Sequence, residues 1–217
     1  LEQAGYQVVL TKENVQDSVF LRDRANVANN AKATMAVSIH TQGDKPFGTW
    51  QEIYVQKVGL FRGTGTEKQT FTDSAIADKS QQYATVMKQE RDTIEATSGT
   101  TVIKDNNFAG RAPIEPGNIP LVQLWSKVPW IYLEAGGNNT NTGLTDEQRA
   151  TYAKAIVSGI EKAVPVTGAG SVAGGQSPWL LANWQQLGPV KSTSDLQPGD
   201  VSIKKILSHT YMFFGSI

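Results

Sequence analysis

Cysteine is absent from the 217 residues. That excludes disulfides, thiolate metal sites and a thiol nucleophile supplied by these residues. It leaves the compartment open, because many secreted enzymes carry no disulfide. An excess of charge of either sign is also missing: 20 lysines and arginines face 20 aspartates and glutamates. No electrostatic case for nucleic acid or for an anionic membrane follows from that balance. No apolar run approaches the length of a membrane span, and no secretory h-region is visible. No internal repeat is evident. Histidine is scarce, with two in the chain, so the placing of each one matters.

The first, His40, closes the stretch Met35-Ala36-Val37-Ser38-Ile39-His40, after which polar Thr41, Gln42, Gly43 and Asp44 break the run. A short apolar run bounded by turn residues reads as a strand covered on both faces. In open α/β sheets, ligands bind beyond the carboxyl ends of such strands, and His40 stands at that end. A second apolar run, Trp130-Ile131-Tyr132-Leu133, ends in Glu134. Both side chains are expected to emerge at one edge of a parallel sheet.

The remaining elements follow from spacing and caps. Gln7 to Leu10 reads as a short strand after Gly5-Tyr6. Ser18 is the expected cap of a helix reaching Ala33, with Leu21, Ala25, Ala28 and Lys32 on one stripe. Arg24 and Asn29 on this helix are expected to fasten it to neighbouring loops. Trp50 to Lys57 and Leu121 to Leu124 read as strands. Asp73 or Ser74 opens a long helix carrying Ile76, Ser80, Tyr83, Met87 and Ile94 at three- and four-residue steps, ended by Gly99. Asn106-Asn107 and Gly110 to Gly117 form a polar connection, read either as a groove border or as plain surface loop. Thr145 with Gln148 makes a capping box for a helix whose Tyr152, Ile156 and Ile160 face inward, and Pro165 stops it. Gly159 inside that helix costs about 1 kcal/mol relative to alanine, which suggests that close packing requires it.

Several of these segments, taken together, resemble the zinc-dependent N-acetylmuramoyl-L-alanine amidases of the Amidase_3 family. Gly5-Tyr6-Gln7-Val8-Val9-Leu10-Thr11-Lys12 is similar to "GY-x-V-x-LTR". Leu21-Arg22-Asp23-Arg24 through Ala28-Asn29 is similar to "L-x-x-R-x-x-x-AN". Ser38-Ile39-His40 matches "SIH", and Pro129 to Gly136 looks like "P-x-x-L-x-E-x-G". The resemblance spans roughly Leu1 to Val164. It implies cleavage of the amide between N-acetylmuramic acid and L-alanine in peptidoglycan by a zinc-activated water. It also implies an extracellular, cell-wall or periplasmic location in a bacterium. His40 matches a zinc-ligating histidine and Glu134 the general base, and the other two ligands are expected before Leu1. The chain departs from the pattern at Thr34, Gln42 and Gly137, positions that bear on substrate contacts more than on reaction type.

From 165 to 177 the composition turns to Gly, Ala, Ser, Thr and Val, which reads as a flexible linker. Residues 178–217 differ again. Leu196-Gln197-Pro198-Gly199-Asp200-Val201 and His209 to Gly215 resemble the "L-x-PGD-x" turn and histidine strand of papain-like cell-wall hydrolases of the NlpC and CHAP groups. There His209 would be the base, with a cysteine that this chain lacks. The segment is too short for a core of its own.

The expected architecture is three-layer α/β, a mostly parallel sheet flanked by helices, lacking its first strand and helix. It is divided into an amidase-like domain (1–164), a linker (165–177) and a short C-terminal β-rich remnant (178–217). The expected function is zinc-dependent peptidoglycan amidase. Two alternatives belong to other classes: a non-catalytic wall-binding module, and a cysteine peptidase or amidase whose nucleophile lies outside the chain.

Overall fold

The computed structural model describes residues 1–12, 14, 17–95, 100–105, 122–139, 141–166 and 211–215. Along these the chain forms β1 (Gln7–Leu10), α1 (Leu21–Ala31), β2 (Met35–Gln42), β3 (Gln51–Val55), β4 (Phe61–Arg62), β5 (Gln69–Thr70), α2 (Ser74–Ile94), β6 (Val102–Asp105), α3 (Val122–Trp125), β7 (Trp130–Gly136), α4 (Asp146–Ala163) and β8 (Tyr211–Gly215). Short 3₁₀ turns cover Glu2–Ala4 and Gly65–Glu67. The expected α/β architecture, a central sheet with helices on its faces, is present.

The sheet is ordered β1-β8-β2-β7-β3-β6, and β4 pairs with β5 in a separate hairpin. β2 and β7 run parallel, as do β3 and β6, while β3 is antiparallel to β7. β8 runs antiparallel to both β1 and β2. Side chains alternate across this sheet. Met35, Val37, Ile39, Ile53, Val55, Ile131, Leu133 and Ala135 form one core with Tyr83 and Met87 of α2 and Tyr152, Ile156 and Ile160 of α4. On the other face Ala36 and Trp130 pack with Ala25 and Ala28 of α1 and Val122 of α3. β2 and β7 are thus covered on both sides, which is why their sequences are nearly continuous apolar runs.

Caps account for the starts of α2 and α4. Asp73 accepts from the Ile76 amide at 2.9 Å and opens α2. Thr145 and Gln148 close a reciprocal capping box on α4. Gly159 faces Met87 so closely that a Cβ there would lie 2.5 Å from its Sδ, which supplies the packing reason for a glycine in mid-helix. Asn29 donates to the Trp125 carbonyl and accepts from the Lys127 amide, and Arg24 donates to the Val19 carbonyl. Both side chains fasten α1 to its surroundings, as expected.

Two elements differ from expectation. α1 begins at Leu21 with Phe20 as its uncapped N-cap, so Ser18 lies outside it. The apolar run expected as a strand ending at Leu124 is the helical turn α3 over Val122–Trp125. There Gln123 donates to the carbonyls of Tyr54 and Trp130 at 2.9 and 2.6 Å, a bridge that a helical turn beside the sheet can make. Three apolar residues around one glutamine do not by themselves separate helix from strand.

Of the C-terminal segment, Tyr211–Gly215 is described, and it lies within the central sheet between β1 and β2. His209, the Leu196 to Val201 turn and most of the linker lie outside the described residues, as do Gly99 and the connection from 106 to 121. Among the described residues no helix is long and apolar enough to cross a membrane.

Candidate active site

The parallel register of β2 and β7 sets His40 directly beside Glu134. The antiparallel register of β7 and β3 sets Glu52 opposite Glu134 and Tyr54 opposite Tyr132. Since alternate residues share a face, His40, Tyr132, Glu134, Glu52 and Tyr54 stand together on the face away from α2 and α4. The two histidine and glutamate positions singled out in the sequence are therefore brought together. Glu52, Tyr54 and Tyr132 join them without having been singled out.

The contacts form a tile across the neighbouring strands β2, β7, β3 and β6. Tyr132 donates its hydroxyl to Glu134 Oε1 at 3.1 Å, and Tyr54 donates to Glu52 Oε2 at 2.6 Å. Lys104 of β6 pairs with the other oxygen of Glu52. The His40 ring stacks on Tyr132 with centroids 4.7 Å apart and an interplanar angle of 20°, and Tyr54 meets Tyr132 edge-on at 5.9 Å. His40, Glu52 and Tyr132 are buried. Aromatic walls around two carboxylates make a site of low local dielectric, where charge is costly unless paired.

The two carboxylates differ in how that cost is met. Glu52 has a hydroxyl on one oxygen and an ammonium on the other. Glu134 has the Tyr132 hydroxyl on Oε1, while its buried Oε2 has no hydrogen-bond partner. Desolvation pushes the Glu134 carboxyl up from 4.5 to about 7; the Tyr132 hydroxyl opposes this, the Glu52 charge adds to it, and the buried Arg91 guanidinium also opposes it. Burial, with the hydrogen bond to Glu52 next, raises the Tyr54 phenol and keeps it a donor at neutral pH. A carboxyl balanced near neutrality with one oxygen uncommitted can both take and return a proton.

Close backbone approach fixes the loop that follows β2. Gly137 donates to the Gln42 carbonyl at 2.8 Å and Asn138 to the Lys45 carbonyl at 2.9 Å. Asn138 Oδ1 accepts from the Phe47 amide. A Cβ on Gly136 would lie 2.0 Å from the Pro46 carbonyl oxygen, so only glycine fits there. A Cβ on Gly137 would sit 3.1 Å from Thr41 Cβ. That crowding gives a local reason for glycine at 137, one of the positions where the chain departs from the resembled pattern.

Among the described residues no group of three His, Asp or Glu side chains could hold a metal ion. His40 can supply one ligand. His209 lies outside the described residues.

The three missed residues had one legible signal. Trp130-Tyr132-Glu134 and Glu52-Tyr54-Gln56 place polar or amphipathic side chains at every second position of otherwise apolar strands. Their meeting depends on the register between β3 and β7, which neither strand states alone. The sequence profile of the N-acetylmuramoyl-L-alanine amidase family matches residues 1–162. No curated protein and no solved structure matches the chain.

Proposed function

The chain belongs to the N-acetylmuramoyl-L-alanine amidase family of peptidoglycan hydrolases, and from that premise we propose that Glu134 is the acid–base group of a zinc-assisted amide hydrolysis with His40 as one metal ligand. The bond cut on this reading joins N-acetylmuramic acid to L-alanine. The observation that carries it is the position of Glu134, half-buried beside His40 on the adjacent central strand, with its Oε2 uncommitted.

Zinc, when bound, lowers the pKa of its water to about 7 and polarises the carbonyl under attack. A catalytic zinc takes three protein ligands. His40 fits as one, and the described residues do not complete the set; the remaining ligands on this reading lie outside them. The proton chemistry rests on the chain's own side chains. Glu134 Oε2 takes the proton from the attacking water and returns it to the departing nitrogen. Tyr132 holds Oε1 and leaves Oε2 for that task. Glu52, held by Tyr54 and Lys104, adds its charge to the burial that raises the proton affinity of Glu134, without competing for the water.

The test uses the full-length protein that carries this chain, with muropeptide cleavage and zinc stoichiometry measured side by side. Glu134→Gln keeps the shape but cannot accept a proton. It is expected to lose about 10²–10⁴-fold in turnover with zinc retained. His40→Ala is expected to lose zinc together with activity. A fully active Glu134→Gln enzyme would place the base elsewhere. Undiminished zinc in His40→Ala would remove His40 from the ligand set.

A further inference from the structure

Behind the candidate site, on the α2 and α4 side of the sheet, the main chain of its residues is held by two buried side chains. Tyr152 of α4 donates its hydroxyl to the His40 carbonyl at 3.1 Å. Arg91 of α2 donates Nη2 to the Glu134 carbonyl at 2.9 Å and Nη1 to the Glu52 carbonyl at 3.1 Å. A carbonyl oxygen has two lone pairs, so it can accept from these donors in addition to any ladder bond. Both side chains are fully buried.

The two are themselves fixed. Glu95 accepts from Arg91 Nε at 2.8 Å and from Nη2 at 2.7 Å, and both members of this ion pair are fully buried. The guanidinium lies over the Tyr152 ring at 5.1 Å. Glu95 therefore orients Arg91, Arg91 lies against Tyr152, and between them they reach three neighbouring strands at the positions that carry His40, Glu134 and Glu52.

For stability alone, an apolar pair of similar volume serves a core as well as a buried ion pair, or better. The planar fork does what an apolar side chain cannot, binding two carbonyls at a set separation. We propose that Arg91 and Tyr152 are positioning residues for the amide hydrolysis, fixing the backbone under His40, Glu134 and Glu52 and with it the spacing of those side chains. This rests on the amidase reading for the reaction that the positioning serves. Neither side chain touches the substrate; each acts through the strand it holds.

The experiment compares three variants with the parent full-length protein. Tyr152→Phe removes one hydroxyl and keeps the ring. Arg91→Met combined with Glu95→Met removes both charges and strands neither. Arg91→Lys keeps the charge and loses the fork. All three are expected to lower kcat about 10- to 100-fold, the scale on which small misplacements act, with KM little changed. A second readout needs no turnover. The His40 imidazole signals are assigned by NMR as those missing from the His40→Ala protein. Their stacking on Tyr132 makes them sensitive to ring position, and Tyr152→Phe is expected to move them. Parental kcat with unmoved His40 signals in a folded Tyr152→Phe protein overturns the inference, and this variant decides alone if the double variant does not fold. A parent protein that leaves muropeptides intact overturns the amidase reading instead. The His40 signals then decide whether the clamp positions the site: moved signals uphold it and unmoved ones overturn it.

Discussion

Glu134 is the residue at which opposing demands meet. Burial and the Glu52 charge raise its proton affinity, and Tyr132 and Arg91 lower it, leaving the carboxyl near 7 instead of its ordinary 4.5. The folded state therefore keeps a proton that the unfolded chain releases. The resulting stabilisation is fully present below the ordinary carboxylate range and is lost as pH rises through about 7. In metal-free protein, Glu134→Gln should thus gain on the parent as pH rises from about 5 to about 8. Melting temperatures across that range test it, and a difference independent of pH would mean that the carboxyl is not held in this way. Gly136→Ala acts through sterics alone. Its Cβ would meet the Pro46 carbonyl at 2.0 Å, and a loss of about 1–3 kcal/mol in urea unfolding is expected, as for other overpacked sites. His40 and Glu134 were legible because each ends an apolar run. Glu52, Tyr54 and Tyr132 were not, because their meeting is a property of the β3–β7 register.

Among the elements, strongly patterned segments were legible and short apolar ones were not. α2 starts at the cap that Asp73 provides, and α4 starts at the Thr145 capping box. α3 went the other way because so short a segment carries no period, and the donors of Gln123 favoured a helical turn beside the sheet. The contact between α2 and α4 gives a prediction of its own. Gly159→Ala adds about 1 kcal/mol of helix propensity. Its Cβ would stand 2.5 Å from Met87 Sδ and 3.3 Å from Met87 Cα, an overpacking that typically costs about 1–3 kcal/mol. The substitution should therefore be neutral to destabilising in the parent. In a Met87→Ala background the obstructing thioether is gone and the same change should stabilise. The double-mutant cycle is expected to show a coupling above about 1 kcal/mol. Additive effects would mean that another neighbour, and not Met87, requires glycine at 159.

For the whole molecule the question is what completes the sheet. Composition alone separates 1–164 from 178–217 through a Gly- and Ser-rich stretch, and the turn and histidine strand of the last segment pointed to another class of hydrolase. The structure seats Tyr211–Gly215 of that segment between β1 and β2, pairing Val8 with Phe214 on one side and Val37 with Met212 on the other. A change of composition and an integral strand are compatible, since strand pairing does not depend on nearness in the sequence. Nothing in a five-residue run with three aromatics announces which strands it will pair with, so this seat was not legible. The physical consequence falls on β1, which among the described residues pairs with β8 alone. Without β8, its four residues would have no ladder, and the neighbouring edge of β2 would present unpaired amides and carbonyls, as unprotected sheet edges do. Removing residues 167–217 is therefore expected to lower the melting temperature by more than about 4 °C, the shift that roughly 1 kcal/mol brings in a domain of this size. Hydrogen exchange should speed up first at Val8 and Val9 and next along the Met35 to Ser38 edge, while the β2–β7 ladder between His40 and Glu134 stays protected. An unchanged melting temperature with β1 still protected would show that the sheet closes without β8, and the compositional boundary at 164/165 would then be the physical one.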